Sequence, residues 1–320
     1  MTSTHERTAM LPHFDDFLLQ LQANNYSART VYNYERDLRV FGNFLLDSKM
    51  DFARLTKRDV TFYKAYLASG DRETACGGHG KMATLDARSV NRMLSAVRSY
   101  LKYLIDMDFA CPLSPEAVKL TKATRKHPQV AELDALTALV EAPSQFESES
   151  KIALRNRAML EMLLATGMRI SELCNLKRSQ IDGTGRVFIT GKGRKQRFVY
   201  LTPRASHHLE RYLATRLDSA AALFIPYAGR NVNDPRRRIS TNYLQERIKR
   251  YREKLRINVP TSAHSLRHGF ATYLAEEGAN PAALQILLGH ESLHTTTRYV
   301  HASDKYAEET QKKYHPRARP

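Results

Sequence analysis

Cysteine is scarce in this 320-residue chain: Cys76, Cys111 and Cys174 are too scattered to supply a disulfide framework or a metal-ligand spacing. No apolar run approaches the roughly 20 residues that a helix needs to cross a bilayer, so no transmembrane helix is expected. The opening residues MTSTHERTAM carry charges with no apolar stretch behind them and do not read as a signal peptide. Together these absences predict a cytoplasmic protein. Acidic residues are also in short supply, 33 Asp and Glu against 50 Lys and Arg, leaving a formal charge of +17.

That excess favours a polyanionic partner, and its placement is more informative than its size. Residues 1–110 carry 15 basic and 13 acidic side chains, residues 111–151 carry 5 and 6, and residues 152–320 carry 30 and 14. Nearly all the surplus therefore lies in the second half. A solvated basic surface with no partner would give the same balance, so charge alone does not decide.

With 42% hydrophobic and 26% charged residues, the chain has an ordinary globular composition and the length for two cores. Residues 11–107 follow a helical pattern. In VNRMLSAVRSYLKYL, Val90, Met93, Leu94, Val97, Leu101 and Leu104 recur at three- and four-residue steps, with Arg92, Arg98 and Lys102 off that stripe. Ser27 is placed to cap an earlier helix through Val31, Tyr34, Leu38 and Phe41. The Gly-rich stretch between them reads as a loop, and residues 1–110 as a bundle of four or five helices. Residues 111–132 hold Pro112, Pro115, Pro128 and a basic patch without periodicity, which predicts a linker; a second, mostly helical domain then covers 133–320. Its clear β signal is a hairpin, Val187–Thr190 and Arg197–Leu201 flanking GKGRKQ. The expected fold class is mainly α, a helical bundle plus a mostly-α domain with a small β-hairpin.

Several short segments in the second domain can carry chemistry. In LLATGMRISELCNL, Gly167 suits a left-handed helix end and Ser171 can cap the next helix, which displays Arg169 at the junction. A surface arginine beside a tight turn would look the same. HSLRHGF puts His264 and Arg267 at i and i+3, able to meet one ligand. His264 and His268 also have a zinc-compatible spacing, but the HExxH glutamate is missing and Arg267 sets a cation beside the site, so no metal is expected. Asn280 and Pro281 open a short helix that Gly289 closes, and His290 follows directly. Tyr299 lies nine residues on, in a chain with 16 tyrosines. Lys192 sits on a two-glycine turn, able to swing into a groove. Residues 241–256 form a basic amphipathic helix with Arg247, Arg250 and Lys254 off the apolar stripe.

Each segment is weak alone; their order is not. Arg169, Lys192, His264 with Arg267, His290 and Tyr299, set in ATGMRISEL, GKGRKQR, HSLRHGFAT and LLGHESLHTTTRY, resemble the catalytic signature of the tyrosine recombinase (phage-integrase) family. Within it the likeness is greatest to the Xer recombinases, supported by the Ser27–Leu38 stretch, the LSAVRSYLKYL helix and the tail YHPRA. The departures are peripheral: the Gly-rich loop around 70–85 and the short IDGTGR connection before the hairpin.

The resemblance implies that Tyr299 is the nucleophile and that Arg169 and Arg267 clamp the phosphate. It makes Lys192 the hairpin lysine, His264 and His290 the active-site histidines, and Glu172 the supporting acid. Two guanidiniums are permanent, bidentate donors for the extra charge of a phosphoryl transition state. A tyrosine with an ordinary pKa near 10 needs a cationic pocket and a proton acceptor, a part His264 can play. The departing 5′ oxygen needs a proton, which Lys192 can supply. No carboxylate cluster accompanies these residues, which argues against a two-metal nuclease, and no cofactor is expected.

The resemblance further implies double-stranded DNA with an inverted-repeat site and a homo- or hetero-tetramer that exchanges strands through a Holliday junction. A second Xer recombinase and a septal DNA translocase are possible partners, and residues 302–320 resemble a tail that docks on a neighbouring protomer. No arm-binding domain is expected before Leu11. Arg92, Arg98, Arg247, Arg250 and Lys254 are candidates for DNA contact. An integrase or resolvase of a mobile element, and a non-cleaving DNA-binding protein of the same fold, are the alternatives.

Overall fold

The computed structural model describes residues 11–70, 84–122, 131–191, 196–229, 232–234 and 236–289. The chain divides into two compact units, Met1–Lys126 and His127–Pro320.

In the first unit the described residues form helices α1 (Phe14–Ala23), α2 (Ala28–Asp47), α3 (Lys57–Ala68) and α4 (Ala87–Asp106). The starts are written in the sequence. The Ser27 hydroxyl accepts the Thr30 N–H at 3.1 Å, Asp86 accepts that of Ser89 at 2.8 Å, and Thr56 and Asp59 form a reciprocal box at the start of α3. All six stripe residues of α4 are buried, and they pack with Leu38, Phe41 and Leu45 of α2 and Tyr63 and Leu67 of α3. Asp37 is buried in this bundle and paired with Arg36 and Arg92.

The start of the expected linker belongs to this unit. A short 3₁₀ turn at Pro115–Ala117 packs on α4, Val118 is fully buried in its core, and Asn91 exchanges two hydrogen bonds with the Thr121 backbone. Prolines without periodicity resemble a linker, but here they shape a tight turn that delivers Val118 to the core.

The second unit comprises α5 (Leu133–Phe146), α6 (Ser150–Thr166), α7 (Ile170–Asn175), strands β1 (Arg186–Thr190) and β2 (Gln196–Tyr200), and α8 (Pro203–Leu213). It continues with α9 (Thr241–Lys254), α10 (Ala263–Glu276) and α11 (Pro281–Leu288). The strands pair antiparallel with Ile189 opposite Arg197. Helix α6 is the hub, packed against α5, α8 and α10. It is buried nearly all round, so its polar residues find partners inside: Arg155 bonds the Ile225 carbonyl at 2.9 Å, and Arg157 bonds Glu161 at 3.0 Å. Helix α10 comes so close to α5 that a Cβ on Gly269 would lie 2.3 Å from Leu136. Among the described residues, no helix is long and apolar enough to cross a membrane.

Candidate active site

Helix α6 ends at Gly167, whose left-handed φ of 61° turns the chain out of the helix. Two residues later Arg169 opens α7. Its cap differs from the expectation. Ser171 lies inside the first turn, and the cap is one-sided: the Glu172 carboxylate reaches back and accepts the Arg169 N–H at 2.7 Å. The same carboxylate accepts from Arg169 Nη1 at 3.0 Å, so backbone and side chain of Arg169 are fixed together. The side chain remains 36% exposed. Among the described residues, its guanidinium donates to Glu172 and to the Gly289 carbonyl.

His264 and Arg267 both lie in the first turn and a half of α10, which Ser262 and Ser265 cap. They are placed differently from each other. His264 is exposed, whereas Arg267 is 3% exposed and donates to the Gly167 and Leu288 carbonyls, both at 2.7 Å. Arg267 thus fastens the end of α6 to the end of α11. The positions of His264, Arg169 and Arg267 converge electrostatically. Partial desolvation and then repulsion by Arg267 and Arg169 push the imidazole below the ordinary histidine value. The neutral ring, which can accept a proton, is therefore favoured near neutral pH. His268 stands beside it, with Nε2 atoms 2.9 Å apart and rings edge to face, so one histidine donates to the other.

Helix α11 ends at Gly289, again left-handed at φ 64°. Its last carbonyls would be orphans at a negative helix terminus. Three arginines from three different elements meet them: Arg197 Nε donates to Leu287 at 2.9 Å, Arg267 to Leu288, and Arg169 Nη2 to Gly289 at 3.4 Å. Glu172 balances this cationic cluster and is itself buried. Burial pushes its carboxyl up, but hydrogen bonds and charge from Arg197 and Arg169 outweigh that and leave it below the usual carboxylate range. A groove of about 680 Å³ runs from Arg169 past Gln180 and Phe188 to Gly191 at the end of β1.

The arrangement is a cluster of fixed cations with a neutral imidazole at its edge, suited to holding an anion and accepting a proton. Lys192, His290 and Tyr299 lie outside the described residues; in sequence they follow Gly191 and Gly289 directly or by a short stretch. Arg197 is not part of the catalytic signature. An arginine on the same strand face as buried Val199, two residues on, is the sign that it points inward.

The candidates for DNA contact separate. Arg247 is engaged internally, 3.3 Å from Glu147 and over the Tyr243 ring. Arg250 is exposed, and Lys254 is exposed with its ammonium over Phe146. Arg92 is committed to Asp37, and Arg98 is half-buried near Glu116, whose carboxyl is lowered mainly by Ser114 and in small part by Arg98.

Residues 129–306 match the model of the phage integrase family, and residues 14–107 match the N-terminal SAM-like domain of phage integrases. The chain belongs to the phage integrase family. It is a tyrosine recombinase, an enzyme of site-specific DNA recombination. Tyrosine recombinase XerC of Pelobacter propionicus is 33% identical over 95% of each chain. Tyrosine recombinase XerD of Staphylococcus epidermidis is 31% identical over 91% of this chain and 94% of its own. Among solved structures, the XerH site-specific recombinase bound to its difH substrate, before cleavage, shares the recombinase fold. Its TM-score is 0.68 at 21% identity, over 92% of this chain and 82% of that one.

Proposed function

We propose that this recombinase cuts one strand of a specific duplex site with Tyr299 and rejoins it to a partner strand. The Tyr299 hydroxyl attacks the scissile phosphorus and passes its proton to His264. The bond to the 5′ oxygen breaks, and Lys192 protonates that oxygen. The product is a 3′-phosphotyrosine, one phosphodiester exchanged for another, so a 5′ hydroxyl from the partner duplex can reverse the step without ATP. Arg169 and Arg267 hold the non-bridging oxygens, His290 donates to one of them, and Glu172 keeps the cluster in place. The observation that carries this reading is that Arg169 and Arg267 both donate to the end of α11, immediately before His290, with His264 three residues before Arg267 on α10.

The enzyme would act in the cytoplasm on an inverted-repeat site, as four protomers that pass through a Holliday junction. XerC- and XerD-named relatives that align along nine-tenths or more of both chains favour resolution of chromosome or plasmid dimers over the mobile-element alternative. They leave a second Xer protein as a natural partner. A septal translocase as activator, and residues 302–320 as the contact between protomers, follow from the same reading. The test is a plasmid carrying two direct copies of a chromosomal inverted repeat, incubated in chelator with the enzyme alone or with a second host recombinase. Excision of the intervening segment is expected. Activity on mobile-element ends and not on the chromosomal repeat would overturn the Xer assignment.

A further inference from the structure

We propose that Arg197 is a positioning residue of the recombinase, holding Arg169 and the end of α11 in the geometry that grips the phosphate. The inference rests on the reading of Arg169 as a phosphate clamp. Arg197 reaches three groups at once. Nη1 and Nη2 donate to the two oxygens of Glu172 at 3.0 and 2.9 Å, a bidentate pair, and Nε donates to the Leu287 carbonyl at 2.9 Å. Glu172 in turn holds both the backbone and the guanidinium of Arg169. One side chain on β2 thereby joins the hairpin, α7 and α11.

Two further observations separate this role from that of a direct DNA contact. The Arg197 side chain is 7% exposed, enclosed between Glu172 and α11. Its side chain also lies close against Gly289: a Cβ there would stand 2.9 Å from Nη1 and 3.1 Å from Cδ and Cζ. Gly289 therefore does two jobs, taking the left-handed turn and leaving room for Arg197 directly before His290. A lysine could not replace this fork. Its single ammonium cannot meet both carboxylate oxygens and the Leu287 carbonyl in one plane.

Glu172 is the element that makes the role measurable. Among the described residues, the charged groups facing it are Arg169 on its own helix and Arg197 on β2, both permanent cations. Without Arg197, burial acts on Glu172 with one cation fewer, and the carboxyl takes up a proton at higher pH. A protonated Glu172 loses the charge-assisted part of its hold on Arg169.

The experiment uses the full chain and a nicked suicide duplex that traps the cleaved strand. DNA affinity and single-turnover cleavage are measured from acid to neutral pH for wild type, Arg197→Gln, Arg197→Lys, Arg197→Gln/Glu172→Gln and Arg169→Ala. Arg197→Gln is expected to bind DNA within about threefold of wild type. It should cleave about 100-fold more slowly, the order of loss that follows a misplacement of about 1 Å. Its rate should fall further as pH drops, through an acid limb that the double variant lacks. Arg197→Lys should recover only part of the rate and keep the extra limb. If Arg197→Gln fails to fold, the lysine variant carries the test by that limb. A pH profile parallel to wild type in the folded variants, or a loss of binding that equals the loss of cleavage, overturns the proposal. Full cleavage by Arg169→Ala would instead remove the clamp reading on which it stands.

Discussion

Replacing Gly167 by alanine perturbs the junction that sets Arg169 and receives Arg267, and its cost can be worked out from geometry. Gly167 has φ +61°, a conformation that costs an L-residue roughly 1–2 kcal/mol. The added Cβ would also stand 2.3 Å from Phe270 Cδ1 and 2.8 Å from its Cε1, so the ring must leave its place. Overpacking of that kind costs roughly 1–3 kcal/mol, for a total of about 2–5 kcal/mol. Gly278 supplies the control: its φ is +82°, and nothing lies within 4 Å of its would-be Cβ. Gly278→Ala should therefore lose only the backbone share. For a unit of this size the two substitutions should lower Tm by roughly 4–20 °C and 2–8 °C respectively. The assay is a calorimetric melt of both variants, with Gly167→Ala/Phe270→Ala added to remove the ring. The double variant should lose less than the sum of its parts. A Gly167→Ala protein no less stable than Gly278→Ala would refute the close approach of α6 and α10 at this point.

With His264 as the proposed proton acceptor, its surroundings set the pH dependence of cleavage. Desolvation and two neighbouring arginines depress its pKa, so the neutral acceptor persists to more acid pH than in an ordinary histidine. Under limiting enzyme, the acid limb of the cleavage rate should therefore lie below the ordinary imidazole value, and a limb at or above it would count against His264 as the acceptor. The sign for stability is the same: the unfolded chain binds the proton more readily, so the second unit weakens as pH falls below that value. Arg250→Ala should weaken binding to any duplex and reduce the slope of log affinity against log salt by about 1. Arg247→Ala should leave that slope alone and lower the melting temperature, since Arg247 is held by Glu147 and Tyr243; equal slopes for the two variants would show that both touch phosphate.

What the sequence made legible was local. The α4 stripe, the Ser27 cap and the left-handed glycines at 167 and 289 depend on neighbours within a turn, and the structure has them as the pattern demands. What it hid was long-range. Arg247 looks like a surface cation until Glu147, one hundred residues away, closes on it. Arg267 looks displayed beside His264, yet its donors go to carbonyls at 167 and 288. Residues 111–121 resemble a linker because prolines break periodicity, although Val118 is fully buried. Arg197 was readable in part, as a charge on the inward face of a strand, but its partners come from α7 and α11, which no local pattern connects to β2.

The proposed reaction requires Tyr299 to form a covalent bond to DNA. Sheared host DNA would be incubated in EDTA with wild type or Tyr299→Phe, denatured, and the protein-linked fragments sequenced. Adducts are expected with wild type alone, joined through a 3′ phosphate and mapping to a short inverted repeat. Adducts that persist in Tyr299→Phe, or none from wild type that binds the repeat with a second host recombinase present, would contradict it.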